Sequence, residues 1–467
     1  MTEISSERSK IIGEMGITGL LWKFSIPSVV GMLVQALYNI VDSYFVGNFV
    51  GEKALTAVVV GFPLLIAQMA FTLMIAIGSV TIISIKLGEK KNEEAQNIFM
   101  NTIFMSIGFA VILTVIMIAF LPQLMTFSGA KGDILPLAME FNKILTIGQI
   151  LMFVGWMLNT IMRGEGNPRM SMITMIMGAV INACLNPLFI VFFKMGLKGS
   201  AYATLVTQFI TMIWCISYFL GPNSVLKISL KRFIFKISTM LEIVKSGMPT
   251  FLINVVGSFI VVFFNNKLLL YSGETAVAAY GIINRIGMLF FMPAFGIVQG
   301  VQPIIGYNYG AKKYDRVIEA TLKAILAGVI VTTIGFIFTH FFSEQTMAVF
   351  CDDPELVKIG SKGLFIVYLV MPVIGFQIVA STYFQAIHKP AIGSFLTLSR
   401  QVIILLPLLW IMPEYYGLNG IWMACPISDS ISSIITFVCL YLSFIKLKTM
   451  DSAVQESDLS YQDKDII

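Results

Sequence analysis

Long apolar runs separated by short polar ones follow one another almost from the start of the chain to its end. They fall roughly at 20–46, 54–85, 97–121, 135–161, 170–193, 199–220, 247–271, 276–305, 317–342, 358–386, 391–412 and 419–445. Each is long enough to cross a hydrocarbon layer of about 30 Å as a helix. Lipid offers no partner for backbone N–H and C=O groups, so the pattern predicts helices, twelve of them. Internal Pro and Gly residues then mark kinks or close packing surfaces rather than loops. The polar segment 446–467 reads as a disordered tail.

The runs repeat. Lys23-x-x-x-Pro27-Ser28 matches Lys245-x-x-x-Pro249-Thr250, and Gly51-Glu52-x-Ala54-x-x-Ala57 matches Gly273-Glu274-x-Ala276-x-x-Ala279. Gly78 matches Gly300, Gly88-x-Lys90-Lys91 matches Gly310-x-Lys312-Lys313, and Pro168 matches Pro390. The separations 249−27, 273−51, 300−78, 310−88 and 390−168 all equal 222. An ungapped register held over five landmarks predicts an all-α membrane protein of two six-helix lobes, related by a pseudo-two-fold axis along the membrane normal. The expected parts are an N-terminal lobe (1–220), an interlobe linker (221–246), a C-terminal lobe (247–445) and the tail (446–467). Duplicated bundles of this kind build moving substrate paths in secondary transporters; the bland alternative is an inert duplicated scaffold.

Charge sets the orientation. Lys and Arg gather at the N-terminus, in the loops near 86–96, 163–169 and 306–316, in the linker, and after the last span at Lys446 and Lys448. Twelve crossings place all of these on one side, so the positive-inside rule predicts cytoplasmic termini in a multi-pass inner-membrane protein. The N-terminus lacks the short apolar core of a signal peptide. Only 12% of the 467 residues are charged and 57% are hydrophobic, unlike a soluble domain. The net charge of +5 is spread over loops, which argues against a nucleic-acid partner. Five scattered cysteines and two distant histidines, His340 and His388, offer no disulfide framework, metal site or catalytic cluster, so neither an enzyme nor a cofactor is expected.

A charge at mid-bilayer costs at least about 2.5 kcal/mol and needs a partner, a water path or a route to the interface. Asp42, Lys143, Lys267, Arg285, Lys323, Arg400 and Asp429 fall inside spans. The lysines can snorkel to the interface, and Arg285 and Arg400 read equally as braces or as functional groups. Asp42 shares one helical face with Gln35 and Tyr38 in the first span. Met175, Asn182 and Asn186 share a face of the fifth span, and Thr204 and Gln208 a face of the sixth. Converged, these stripes supply one carboxylate, amide oxygens and a hydroxyl, a hard-oxygen set suited to H⁺ or a small cation. For the asparagines, interhelical hydrogen-bond glue is the competing reading. Most of the 28 Met and 37 Phe residues face lipid or fill helix contacts, and a minority can line a cavity for flat hydrophobic cations.

In this order and spacing the chain resembles the multidrug and toxic compound extrusion (MATE) family over about residues 16–445. The resemblance is carried by Pro27-Ser28-x-x-Gly31 through Gln35-x-x-Tyr38-Asn39-x-x-Asp42, the repeated Gly-Glu-x-Ala-x-x-Ala, Arg163-Gly164-Glu165-Gly166-Asn167-Pro168 and Asn182-x-x-x-Asn186-Pro187. It implies lobes that alternate between outward and inward openings and export varied, often cationic amphiphiles in exchange for Na⁺ or H⁺, without a cofactor. Carried over by position, the coupling site comprises Asp42, Asn182, Asn186 and Thr204, with Gln35, Tyr38, Asn159 and Met175 beside it in the substrate cavity. Pro27 is the expected hinge, and Asp429 a second-lobe candidate. The family usually has Asp where this chain has Asn186, so Asp42 is left as the one titrating group there and the choice of ion stays open. The resemblance further implies small-molecule hydrophobic cations as partners and a monomer. The rival within the superfamily is a flippase for lipids or lipid-linked oligosaccharides.

Overall fold

The computed structural model describes residues 3–231, 233–351 and 353–462; the side chains of residues 3–6, 9, 39, 52 and 453–462, Asn39 and Glu52 of the motifs among them, are not described. Every regular element among the described residues is helical. A short polar helix, α1 (Glu3–Glu14), precedes α2 (Ile17–Phe49), α3 (Glu52–Gly88) and α4 (Asn92–Ala119). Then come α5 (Leu121–Phe127), α6 (Ile134–Ile147), α7 (Gln149–Gly164), α8 (Pro168–Pro187) with a π segment (Leu188–Phe192), and α9 (Gly196–Leu220). The rest of the chain forms α10 (Ile237–Gly310), α11 (Tyr314–Phe341), α12 (Ser343–Ala348), α13 (Pro354–Val367), α14 (Met371–Ala386), α15 (Pro390–Leu398), a second π segment (Ser399–Leu405) and α16 (Leu406–Gln462).

Among the described residues eight helical runs are long and apolar enough to span a membrane, and two bent pairs, α6–α7 at 51° and α13–α14 at 52°, bring the number to ten. Two of the eight are double. The 74 residues of α10 would reach about 110 Å if straight, several bilayer thicknesses. The chain turns instead at Gly273 (φ 73°), and the run Pro390–Ser452 turns at Gly417 (φ 55°). Counting each as two gives the twelve expected spans. The last helix continues to Gln462, through most of the segment predicted as a disordered tail. Extending an existing helix needs no new nucleus, so weakly apolar residues can follow a stable span. Residues 463–467 lie outside the described residues.

The repeat is written into the backbone. Positive φ occurs at Gly51 and Gly273, at Lys90 and Lys312, and at Gly166 and His388. The differences 273−51, 312−90 and 388−166 are again 222. Left-handed backbone disfavours a Cβ, so shared positions for it mark shared turns even where His388 replaces a glycine.

The chain forms two compact units. The first holds the residues up to Ser9, Val30–Leu87 and Lys91–Val255; the second holds Lys10–Val29, Gly88–Lys90 and the chain from Val256 on. Contact thus divides the chain elsewhere than the expected limits at 220 and 247. The reason is close backbone packing at small residues, which drives helix association where no hydrophobic effect operates. In the first unit a Cβ on Gly78 would lie 2.1 Å from the carbonyl oxygen of Ile243, and one on Gly247 1.9 Å from that of Met74. In the second unit a Cβ on Gly300 would lie 2.8 Å from Cα of Ser25, and one on Gly296 2.5 Å from Cα of Val29. The apolar cores obey the same register. Val46, Ala54 and Met125 in the first correspond to Leu268, Ala276 and Met347 in the second.

Candidate functional site

Three helices of the first unit each bring a pair of residues one turn apart to a common centre. Asp42 of α2 accepts hydrogen bonds at Oδ1 from Asn186 Nδ2 of α8 (2.9 Å) and from Ser200 Oγ of α9 (3.0 Å). Asn186 Nδ2 also donates to Asn182 Oδ1, at 2.9 Å. One turn back along α2, the Tyr38 hydroxyl shares a 3.3 Å hydrogen bond with Thr204 Oγ1, one turn on along α9. The pairs 42–200 and 38–204 run in opposite senses, as neighbouring antiparallel helices require. Asn182, Asn186 and Ser200 are fully buried, while Asp42 is half-buried.

The bonding is incomplete in a specific way. Both donors load the same carboxylate oxygen, and Asp42 Oδ2 receives no hydrogen bond from the described residues. Asn186 Oδ1 and Asn182 Nδ2 are buried without partners. Buried polar groups are nearly always satisfied, so each exception asks for a reason. A carboxylate with a spare oxygen, bonded to an amide that has its own spare oxygen, can hold a proton or take part in binding a small hard cation. Among the described residues no three His, Cys, Asp or Glu side chains gather as a conventional metal site.

The other expected residues are placed differently. Thr204 meets Tyr38, not Asp42. Gln35 is half-buried on the same helix and takes no part in the Asp42 hydrogen bonds. Met175 packs on Gly31, where a Cβ would lie 2.7 Å from its sulfur. Asn159 belongs to another network: its Oδ1 accepts from Arg163 NH1 (3.1 Å) and Ser171 Oγ (2.9 Å). Pro27 lies inside α2, which continues through it, just before the unit boundary between Val29 and Val30. Asp429 pairs through Oδ1 with Arg400 Nε, at 2.8 Å. Ser200 is the residue sequence reasoning missed, although it continues the stripe of Thr204 and Gln208 at four-residue spacing.

A second buried carboxylate anchors the polar end of this unit. Glu165, on the turn between α7 and α8, accepts from Arg8 NH1 (2.7 Å), Ser224 Oγ (2.8 Å), and the backbone N–H groups of Val225 (3.0 Å) and Leu226 (3.1 Å). Tyr218 donates to it as well. Burial by itself would lower the Arg8 pKa, but Glu165, with Tyr218 behind it, outweighs that and holds Arg8 above the usual arginine value. These contacts tie the first half of α1, at Arg8, and the start of the linker to the rest of the first unit.

The MatE family model matches residues 27–188 and 248–411, one copy in each half of the repeat. The multidrug export protein MepA of Staphylococcus aureus (strain MSSA476) is 26% identical over 420 residues, covering 90% of this chain and 92% of its own length. The protein of the same name from Staphylococcus haemolyticus (strain JCSC1435) is 24% identical over 441 residues, with coverage of 94% and 96%. Among solved structures, an outward-facing multidrug resistance MATE family transporter of the MOP superfamily superposes with a TM-score of 0.88 at 25% identity, over 94% of this chain and 98% of the other. A MOP superfamily transporter from Pyrococcus furiosus, described as having a binding pocket of reverse polarity that suggests a different function, gives 0.89 at 25% identity, with coverage of 94% and 98%.

Proposed function

Because the chain belongs to the MatE family, we propose that it is a secondary active exporter of hydrophobic and cationic compounds, driven by H⁺ or Na⁺ exchange at Asp42. Members of that family are membrane transport proteins, not enzymes. The names of the staphylococcal relatives support multidrug export as the task. The observation that carries the coupling role is the half-bonded Asp42 carboxylate, held at one oxygen by Asn186, whose own Oδ1 is buried without a partner. Binding shifts a conformational equilibrium only through unequal affinity for the two states. A lone carboxylate achieves that most simply by changing charge. Neutral or ion-bound, Asp42 suits a closed apolar site; ionised and bare, it suits an open wet one. The change would be felt along α2 toward Pro27, alter its bend, and drive the lobes between inward and outward openings. The protein would work as a monomer in the cytoplasmic membrane, with both termini in the cytoplasm, as the loop charges favour.

Proteoliposomes loaded with a fluorescent hydrophobic cation, with a Na⁺ or a pH gradient imposed separately, test this reading. One gradient should drive dye movement, thereby naming the ion, and Asp42→Asn should abolish it. Full gradient-driven movement by the variant would refute the role of Asp42. If neither gradient moves dye but fluorescent phospholipid is exchanged between leaflets, the flippase reading replaces export.

A further inference from the structure

We infer that Arg400 and Asp429 form a second ligand site, within the second unit, for the paired charges of a zwitterionic amphiphile. The inference rests on the export reading for its kind of substrate but uses none of the Asp42 cluster.

Arg400 stands in the π segment Ser399–Leu405, a rare helical form that recurs at functional sites. Ser428 Oγ donates to its backbone carbonyl at 2.7 Å and so fixes the segment against α16. Its Nε bonds Asp429 Oδ1 at 2.8 Å; the aspartate side chain is 7% exposed and the arginine 33%. Only Nε is engaged by a described side chain, so the outer edge of the guanidinium fork keeps its donors. Ser432 and Ser433 follow Asp429 by three and four residues and share its helix face. Gln377 of α14 donates to Ser432 Oγ. Gln377 is 4% exposed and Ser433 5%, yet Gln377 Oε1 and Ser433 Oγ have no hydrogen-bond partner. Spare polar atoms therefore lie on the helices beside a neutral ion pair.

The fold does not require these charges. The 222-residue register assigns Arg400 to Gly178. Past that point the second half is one residue shorter, Gly196-Leu197-x-Gly199 matching Gly417-Leu418-x-Gly420 at 221, so Asp429 corresponds to the uncharged Gln208. A Cβ on Gly178 would meet the Thr211 and Thr207 methyl groups of α9 at 3.2 and 3.8 Å, so the same helix contact is made without charge. The pair is an addition, and its chemistry names the ligand. A simple cation drawn to Asp429 would strand the arginine, and a simple anion drawn to Arg400 would strand the aspartate. Stranding a buried charge is what makes breaking such pairs costly. A zwitterion replaces both partners at once: its carboxylate takes the planar fork of Arg400, and its ammonium takes Asp429 and Gln377 Oε1.

The test uses full-length protein in phosphatidylcholine nanodiscs. The probes are a rhodamine dye with a free carboxylate and the same dye as its cationic ethyl ester, followed by fluorescence anisotropy. Arg400→Gln should weaken binding of the zwitterion by about tenfold or more, while the ester changes by less than about twofold. The double variant Arg400→Gln/Asp429→Asn strands no charge and guards against misfolding; it should show the same selective loss. Equal zwitterion affinity in the wild type and the double variant overturns the proposal. So does displacement of the zwitterion by added phosphatidylglycerol that depends on Arg400, because the anionic occupant would then be a lipid phosphate. Gradient-driven movement of the ester in proteoliposomes by the double variant tests the export reading separately, and absence of such movement in the wild type as well would sink that reading rather than this one.

Discussion

Phe264 and Trp422 pack together in the second unit, with ring centroids 6.0 Å apart, where the repeat places the neighbourhood of Asp42. Phe264 corresponds to Asp42 at 222 residues, and Ile421, beside Trp422, corresponds to Ser200 at the 221 residues that separate Gly196 from Gly417. In the first unit Asp42 is joined to Ser200 by a 3.0 Å hydrogen bond. The same helix contact is thus polar in one half and an aromatic core in the other, where Tyr280 stacks on Phe264 at 4.2 Å. The hydrogen-bonded carboxylate at this contact belongs to one half of the repeat.

Phe264→Ala should act on stability alone. Deleting a buried ring costs about 3–5 kcal/mol when its surroundings cannot collapse. Thermal unfolding of the detergent-purified variant should occur at a markedly lower temperature. The ion dependence of the transport that survives should match the wild type, and a change in which gradient drives transport would contradict the separation of roles.

Ser200→Ala and Thr204→Val should differ. Ser200 donates to a carboxylate, whereas Thr204 shares a bond with a tyrosine hydroxyl. Hydrogen bonds to charged groups are worth about 1.5–3 kcal/mol, against about 0.5–1.5 for neutral ones. The concentration of coupling ion needed for half-maximal dye movement should shift by about tenfold in Ser200→Ala, and by less in Thr204→Val. A larger effect at Thr204 would mean that the structure assigns the wrong hydroxyl to Asp42.

Gly78→Ala and Gly300→Ala should both lower stability, because a methyl group there meets backbone rather than a yielding side chain. Overpacking of this kind costs about 1–3 kcal/mol or more. Gly108→Ala is the control, since nothing lies within 4 Å of a Cβ at Gly108. Unfolding temperatures of the three variants, measured side by side, should fall in the first two and stay level or rise in the third.

The spans, the repeat and the separate stripes, Asp42 on one span and Asn182 with Asn186 on another, were legible because each depends on local spacing or on a register that the sequence carries directly. Gly51 and Gly273, which the repeat pairs, both sit where the backbone turns left-handed. Asn159 was placed beside the cavity by family position alone, which does not reveal its neighbours: four residues on, Arg163 holds its amide oxygen. The limits of the compact units could not be read from the halves of the sequence. They follow which helix lies against Gly78 or Gly300, and close approach of backbones leaves no pattern beyond the glycine itself. Nor could the partner of Glu165 be read, since Arg8 lies 157 residues away.

Glu165→Ala should loosen the linker more than Arg8→Ala does. Glu165 is the acceptor for five groups: Arg8, Tyr218, Ser224 and the N–H groups of Val225 and Leu226. Its loss leaves buried donors unsatisfied around residues 224–226, each at about 1–3 kcal/mol. Arg8→Ala removes one donor of the five and leaves the carboxylate four others, Tyr218, Ser224 and two backbone N–H groups, to hold its charge. Limited proteolysis of the purified protein should therefore cut between 221 and 236 much faster in Glu165→Ala than in Arg8→Ala. The same order is expected in unfolding temperature. If Arg8→Ala were the more sensitive, the N-terminal helix rather than the carboxylate would be what holds the linker, and the five bonds at Glu165 would be a consequence of that docking instead of its cause.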